Sequence, residues 1–123
     1  TEQDHVAPWR SVHKLHMFTG AELRFVLTSG GHNAGIVSEP GHRHRHYSVA
    51  TRPLDGAAPA PDDWLAGAQQ NAGSWWTDWQ AWLTAMDSEQ TEPRDPAKGK
   101  LKVLEDAPGT FVKIRIDAKK AAA

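Results

Sequence analysis

Apolar positions along this chain change period twice, and the changes divide it into segments. Between Trp9 and Phe18, the residues Trp9, Val12, Leu15 and either His16 or Phe18 recur at helical spacing, with Pro8 ahead and Gly20 behind. A helix is expected there. Over residues 21–28 the period shortens to alternation, with Leu23, Phe25 and Leu27 against Val26, which predicts a strand flanked on both sides. The strand stops at Ser29-Gly30-Gly31 and presents His32 on a tight loop, with Gly35 three residues on. A merely solvated or buried histidine in a Gly-rich turn is the plain reading of that loop, and a working side chain at a strand end is the sharper one.

Further along, residues 38–41 (Ser-Glu-Pro-Gly) punctuate the chain and residues 48–51 suit a second extended segment. Residues 53–61, PLDGAAPAP, read as a linker by composition. Asp62 and Asp63 are placed to cap a short helix over residues 62–68, and Ser74 to cap a second one. On the second helix Trp75, Trp79, Trp82, Leu83 and Met86 form one stripe, expected to pack against the protein body. Residues 87–100 are polar and expected to be mobile. Two β-prone runs, residues 101–104 and 110–116, predict a closing hairpin, and residues 119–123 a frayed end.

Composition narrows the function classes. A length of 123 residues fits one ordinary domain, and a formal charge of −1 implies no broad attraction to nucleic acid or anionic membrane. Neither an apolar run long enough to span a bilayer nor a basic-then-apolar leader is present, so neither a membrane span nor a signal peptide is expected. The absence of cysteine removes disulfides, thiolate metal sites and thiol nucleophiles from this polypeptide. The chain opens at Thr1 and enters a motif within four residues, as a piece of a longer protein would.

Asp4, in the loop TEQDHVAP, precedes His32 with a helix and a strand between them. That is the order and setting of the last two members of a nucleophile–Asp–His triad in α/β-hydrolase folds. A near-neutral histidine takes the nucleophile's proton, and a carboxylate on its other ring nitrogen fixes the tautomer. No G-x-S-x-G surrounds any serine, so a complete triad cannot be built here. Either another portion supplies the nucleophile or the polypeptide is not a catalyst. His42, His44 and His46 alternate with Arg43 and Arg45. On one strand face the three would approach a metal such as zinc; as a solvated basic loop beside an active site they would attract phosphates of an acyl carrier.

Three motifs in order, DHVAPW from Asp4, FVLTSGGHNAGIVSEPG from Phe25 and GSWWTDWQAWL from Gly73, together with APGTFV from Ala107, resemble the C-terminal part of class I polyhydroxyalkanoate synthases. The resemblance covers nearly the whole chain. It implies an α/β fold, the C-terminal portion of an α/β-hydrolase-type domain with its last strand and catalytic loops, Trp-rich helices and a terminal β hairpin, incomplete as a stand-alone chain. Residues 1–52 would carry the triad Asp and His, 53–61 the linker, 62–87 the Trp-rich helices, and 88–123 a mobile segment and β-prone extension of the same domain.

The same resemblance implies polymerisation of 3-hydroxyacyl groups from coenzyme A thioesters through a Cys-His-Asp triad whose Cys lies outside this chain. His32 would deprotonate the thiol, and Asp4 would orient His32 or help activate the incoming hydroxyl. No cofactor or metal is implied beyond the 3-hydroxyacyl-coenzyme A substrate. The implied setting is the cytoplasm, at polyester granules, as a homodimer of the full enzyme, with no nucleic-acid partner. The HRHRH run is richer in histidine than the family pattern at that position. Two other readings stand beside this one: a non-catalytic interaction module or relic that binds a partner or granule through its tryptophans, and part of an α/β-hydrolase esterase or depolymerase.

Overall fold

In the computed structural model, residues 1–114 are described. They fall into two units, Thr1–Ser88 and the segment from Glu89 onward. The first begins with α1 (Trp9–Val12), continued by a 3-10 turn over His13–Met17. Strand β1 (Leu23–Thr28) pairs antiparallel with β2 (His46–Arg52), which pairs antiparallel with β3 (Gln69–Ala72). Helices α2 (Pro61–Gly67) and α3 (Trp76–Met86) flank β3 in sequence. The architecture is a small α/β one on a three-stranded antiparallel sheet of order β1-β2-β3.

Alternation in β1 gives the sheet its core face. Phe25 and Leu27 are buried against Trp64 of α2, with Trp9, Ala50 and Leu65 packed around them. Phe25 and Trp64 meet edge to face with ring centroids 5.0 Å apart, the geometry that aromatic quadrupoles favour. Arg52, at the end of β2, is buried and donates to four carbonyls, those of His16, Thr19, Ala21 and Gly56. It thereby fastens the turn after α1 and the segment after β2 to one point. Residues 53–61 fold back on that point, where the Asp55 amide donates to the Gly20 carbonyl.

The first helix keeps only part of its expected face. Trp9 packs on the core and His16 is buried, but Val12, Leu15 and Phe18 are exposed and His13 is buried in their stead. The tightening to 3-10 geometry explains the exchange, because side chains three residues apart then eclipse and both imidazoles meet Phe25, His13 edge to face and His16 tilted. Asp62 and Asp63 lie in the first turn of α2 without capping it by a side-chain hydrogen bond. Ser74 does supply an amide acceptor at the start of α3, where its Oγ accepts from the Trp76 amide at 3.0 Å. Strand β3 has no apolar alternation to announce it; its pairing with β2 defines it.

In the second unit the expected hairpin does not form among the described residues. Residues 101–104 lie outside any strand, and Phe111–Lys113 make a 3-10 turn. Glu105 Oε1 accepts from the Thr110 amide at 3.0 Å and from its hydroxyl at 3.2 Å, which closes the chain locally instead of along a ladder. Residues 115–116 of that hairpin, and the end at residues 119–123 expected to fray, lie outside the described residues. No helix among the described residues is long and apolar enough to cross a membrane.

Candidate functional site

The turn after β1 is built by its glycines. Gly30 adopts φ +100°, where a side chain is strained, and a Cβ there would also sit 2.5 Å from Arg45 Nη1. Beyond it the backbone coils, with amides of Gly35 and Val37 donating to the carbonyls of Gly31 and Asn33. Thr28 Oγ1 donates to the Gly35 carbonyl at 2.8 Å and pins the far side of this loop to the strand end. His32 stands on the loop so formed.

Asp4 reaches it from the N-terminal segment, which is laid alongside the strand end by two backbone bonds. The Glu2 amide donates to the Thr28 carbonyl at 2.9 Å and the Gln3 amide to the Gly30 carbonyl at 3.1 Å. Asp4 Oδ1 accepts from the amides of Val6 and Ala7, both at 2.8 Å, which leaves Oδ2 directed at His32 Nδ1, 2.8 Å away. The Asp4 side chain is only 6% exposed and that of His32 45%. One partner is thus held inside and the other presented.

Electrostatics follow from those contacts. The Ala7 amide, then the hydrogen bond from His32, with a smaller part from the Val6 amide, hold the Asp4 carboxyl at about 2, against a modest opposing effect of burial. An ionised carboxylate only accepts, so the proton on His32 belongs on Nδ1 and the Nε2 lone pair is free to take a proton. An open cleft of about 360 Å³ adjoins the pair, lined by Asp4 and His32 together with Trp9, Val26, Leu27 and Ile36. Because Val26 and Leu27 come from opposite faces of β1, the cleft lies along that strand's outer edge, which has no strand partner among the described residues.

Both site residues read from the sequence, Asp4 and His32, are therefore in hydrogen-bonded contact. The histidine run is not gathered in the same way. His46 alone lies in β2, His44 adopts φ +61°, and His42 Nδ1 lies 2.9 Å from the Arg43 carbonyl. Alternation along one strand face, the arrangement in which the three histidines would approach a metal, is not realised, and no group of three or more metal-ligating side chains is gathered among the described residues. His46 Nε2 lies 3.2 Å from both carboxylate oxygens of Glu2, two residues before Asp4. Its amide donates to Ser29 Oγ at 3.1 Å. These contacts join residues 44 and 17 positions apart, and no periodicity in the sequence announces them.

No family model matches the chain. Among curated proteins it is 33% identical over 116 residues to the poly(3-hydroxyalkanoate) polymerase subunit PhaC of Cupriavidus necator, covering 94% of this chain and 19% of that protein. It is 37% identical over 117 residues to the same subunit of Rhizobium meliloti and 36% over 115 residues to the poly(3-hydroxyalkanoate) polymerase of Methylorubrum extorquens, in each case 94% of this chain and 18% of the relative. The chain spans about a fifth of the length of the relatives it matches, and over that span it is similar to poly(3-hydroxyalkanoate) polymerases.

Proposed function

We propose that this chain is the C-terminal catalytic segment of a polyhydroxyalkanoate synthase of class I, an acyltransferase that polymerises 3-hydroxyacyl groups from coenzyme A thioesters. The observation that carries this reading is the 2.8 Å contact between Asp4 Oδ2 and His32 Nδ1, at a cleft, in a chain similar to such polymerases. The chain has no cysteine, so the nucleophile belongs to another part of a longer polypeptide. The open edge of β1 beside the cleft suits the docking of a further strand of an α/β-hydrolase sheet.

In the reaction His32 Nε2 takes the proton of the cysteine thiol, and the thiolate attacks the thioester carbonyl. Collapse of the tetrahedral intermediate expels coenzyme A thiolate, which recovers the proton from the imidazolium. His32 then takes the proton from the hydroxyl of another 3-hydroxyacyl thioester, and the hydroxyl oxygen attacks the enzyme-bound thioester. The C–S bond breaks to release the cysteine thiolate, which recovers the proton from the imidazolium, and the chain, longer by one ester, stays on the incoming group's thioester. Asp4 holds the Nδ1–H tautomer and stabilises the imidazolium, or assists the hydroxyl. The setting that goes with this reading is a dimeric enzyme at cytoplasmic polyester granules.

A chimera tests it. With this chain in place of the matching fifth of the Cupriavidus necator polymerase, polymer should accumulate from 3-hydroxybutyryl-coenzyme A, and Asp4→Asn should reduce it by about three orders of magnitude. Undiminished polymer from the Asp4→Asn chimera would contradict the assignment. A second reading draws on the exposure of Trp79, Trp82 and Met86 along α3: the helix meets a partner or the granule surface without a catalytic role for the segment. Polymerisation that survives loss of both Asp4 and His32 would favour it.

A further inference from the structure

The start of α3 is directed at the loop that carries His32. Trp75 Nε1 and Trp76 Nε1 both donate to the carbonyl of Ile36, at 3.0 and 2.8 Å. Ser74 Oγ donates to the carbonyl of Ser38, two residues further on. Three consecutive side chains thus supply three donors to one short stretch of backbone. A carbonyl oxygen has two lone pairs, and at Ile36 both are occupied by indoles. Ile36 also lines the cleft beside Asp4 and His32.

The far end of the loop is held from two sides by different devices. Thr28 Oγ1 binds the Gly35 carbonyl from the strand side, and the indoles bind the next carbonyl from the helix side. On either side of Ile36 the amides of Gly35 and Val37 turn back on Gly31 and Asn33, so the position of Ile36 is passed to the residues flanking His32. Hydrophobic packing alone does not account for these residues. Trp75 stacks on Trp79 at 5.4 Å, yet Trp79 and Trp82 on the same helix remain exposed and neither reaches the loop through a hydrogen bond.

We infer that Trp75 and Trp76 are positioning residues for His32: their indole N–H groups fix the Ile36 carbonyl and thereby keep the imidazole in hydrogen-bonding register with Asp4. The inference rests on the catalytic reading of the Asp4–His32 pair. It gives the paired tryptophans of the GSWW motif a task apart from core burial.

Replacing indole by phenyl removes the donor and keeps most of the ring. In Trp75→Phe/Trp76→Phe, read on the native polypeptide that carries this segment, amide exchange at Gly35 and Val37 should accelerate by about tenfold or more, as expected for two lost hydrogen bonds. The Asp4 carboxyl should rise by about one unit from its low value as the His32 bond becomes less populated. Amides of Leu27 and Val49 should exchange as before, and Trp82→Phe should move neither signal. If the double variant does not keep the native sheet, Trp75→Phe and Trp76→Phe are compared singly, each with one donor remaining.

Low Asp4 titration that survives removal of the donors, with unchanged exchange at Gly35 and Val37, overturns the inference and leaves the catalytic reading intact. Asp4 titrating at its ordinary value in the unsubstituted chain overturns the catalytic reading, and the inference with it.

Discussion

Asp4 Oδ2 and His32 Nδ1 lie 2.8 Å apart although 28 residues separate them in the chain. Two neighbouring amides donate to the other carboxylate oxygen, so the acid has one acceptor left and His32 Nδ1–H donates to it. This division of one carboxylate between its own loop and a partner ties local turn chemistry to the site.

Asp4 is expected to titrate at about 2, below its ordinary 3.8. A lowered carboxylate stabilises the fold above the unfolded value, and that contribution is lost as pH falls from about 4 through about 2. Carbon-13 detection of the Asp4 carboxyl reads this directly, and Asp4→Asn should remove the corresponding part of the acid unfolding profile. An Asp4 titration at 3.8 would show that the amide and histidine contacts are not maintained in solution.

His13 and His16 work in the opposite range. Burial lowers both, and for His16 the neighbouring His13 and Arg52 add to it. The unfolded chain therefore binds more protons than the fold below the ordinary value of 6.5, so stability is present above that value and falls as pH drops below it. Thermal unfolding should move down by about 5 °C between about pH 7.5 and about pH 5.5. His13→Leu combined with His16→Leu should flatten the profile; an equally steep profile in that variant would assign the effect elsewhere.

Arg24 and Asp78 join β1 to α3 through two nearly parallel bonds, Nε to Oδ2 at 3.0 Å and Nη2 to Oδ1 at 2.5 Å. The pair is partly exposed, so Asp78→Asn should cost about 1 kcal/mol. The loss should be local, with faster amide exchange in α3 and little change in β2. A global loss of several times that size would mean that the pair supports the core itself.

Trp64 is the largest side chain in the buried cluster with Phe25 and Leu27. Trp64→Ala should cost about 3–5 kcal/mol, enough to unfold most of a unit of this size, whereas Trp64→Phe should retain part of the edge-to-face contact with Phe25. Denaturant midpoints rank the two. Equal midpoints would place the core elsewhere.

The Asp4–His32 pairing was more legible in the sequence than the packing around it. Asp4 and His32 stand in motifs whose glycines, proline and short polar residues determine local geometry, and local geometry is what sequence patterns report. β1, the 48–51 stretch of β2, α2 and α3 were legible for the same reason, although the Trp79, Trp82, Leu83 and Met86 side of α3, expected to pack on the body, is exposed. Beyond them, tertiary contacts decided. The switch to 3-10 geometry at His13 turned two imidazoles inward and left Val12 and Leu15 outside, an outcome that depends on Phe25 and Trp64 lying beneath. β3, with the sequence Gln-Gln-Asn-Ala, is a strand because β2 offers it an edge. The bonds from Trp75 and Trp76 to Ile36 carry no periodic signature at all, since an indole N–H reaching a distant carbonyl leaves no trace in hydrophobic spacing.

The most direct test of the proposed role of the Asp4–His32 pair is the rate of coenzyme A release from 3-hydroxybutyryl-coenzyme A by the native polypeptide that carries this segment, with and without His32→Gln. The expected result is turnover in the unsubstituted protein and a loss of about a thousandfold or more in the variant, with the sheet intact. Turnover within about tenfold of the unsubstituted rate in His32→Gln, or none in either protein, would contradict the catalytic role.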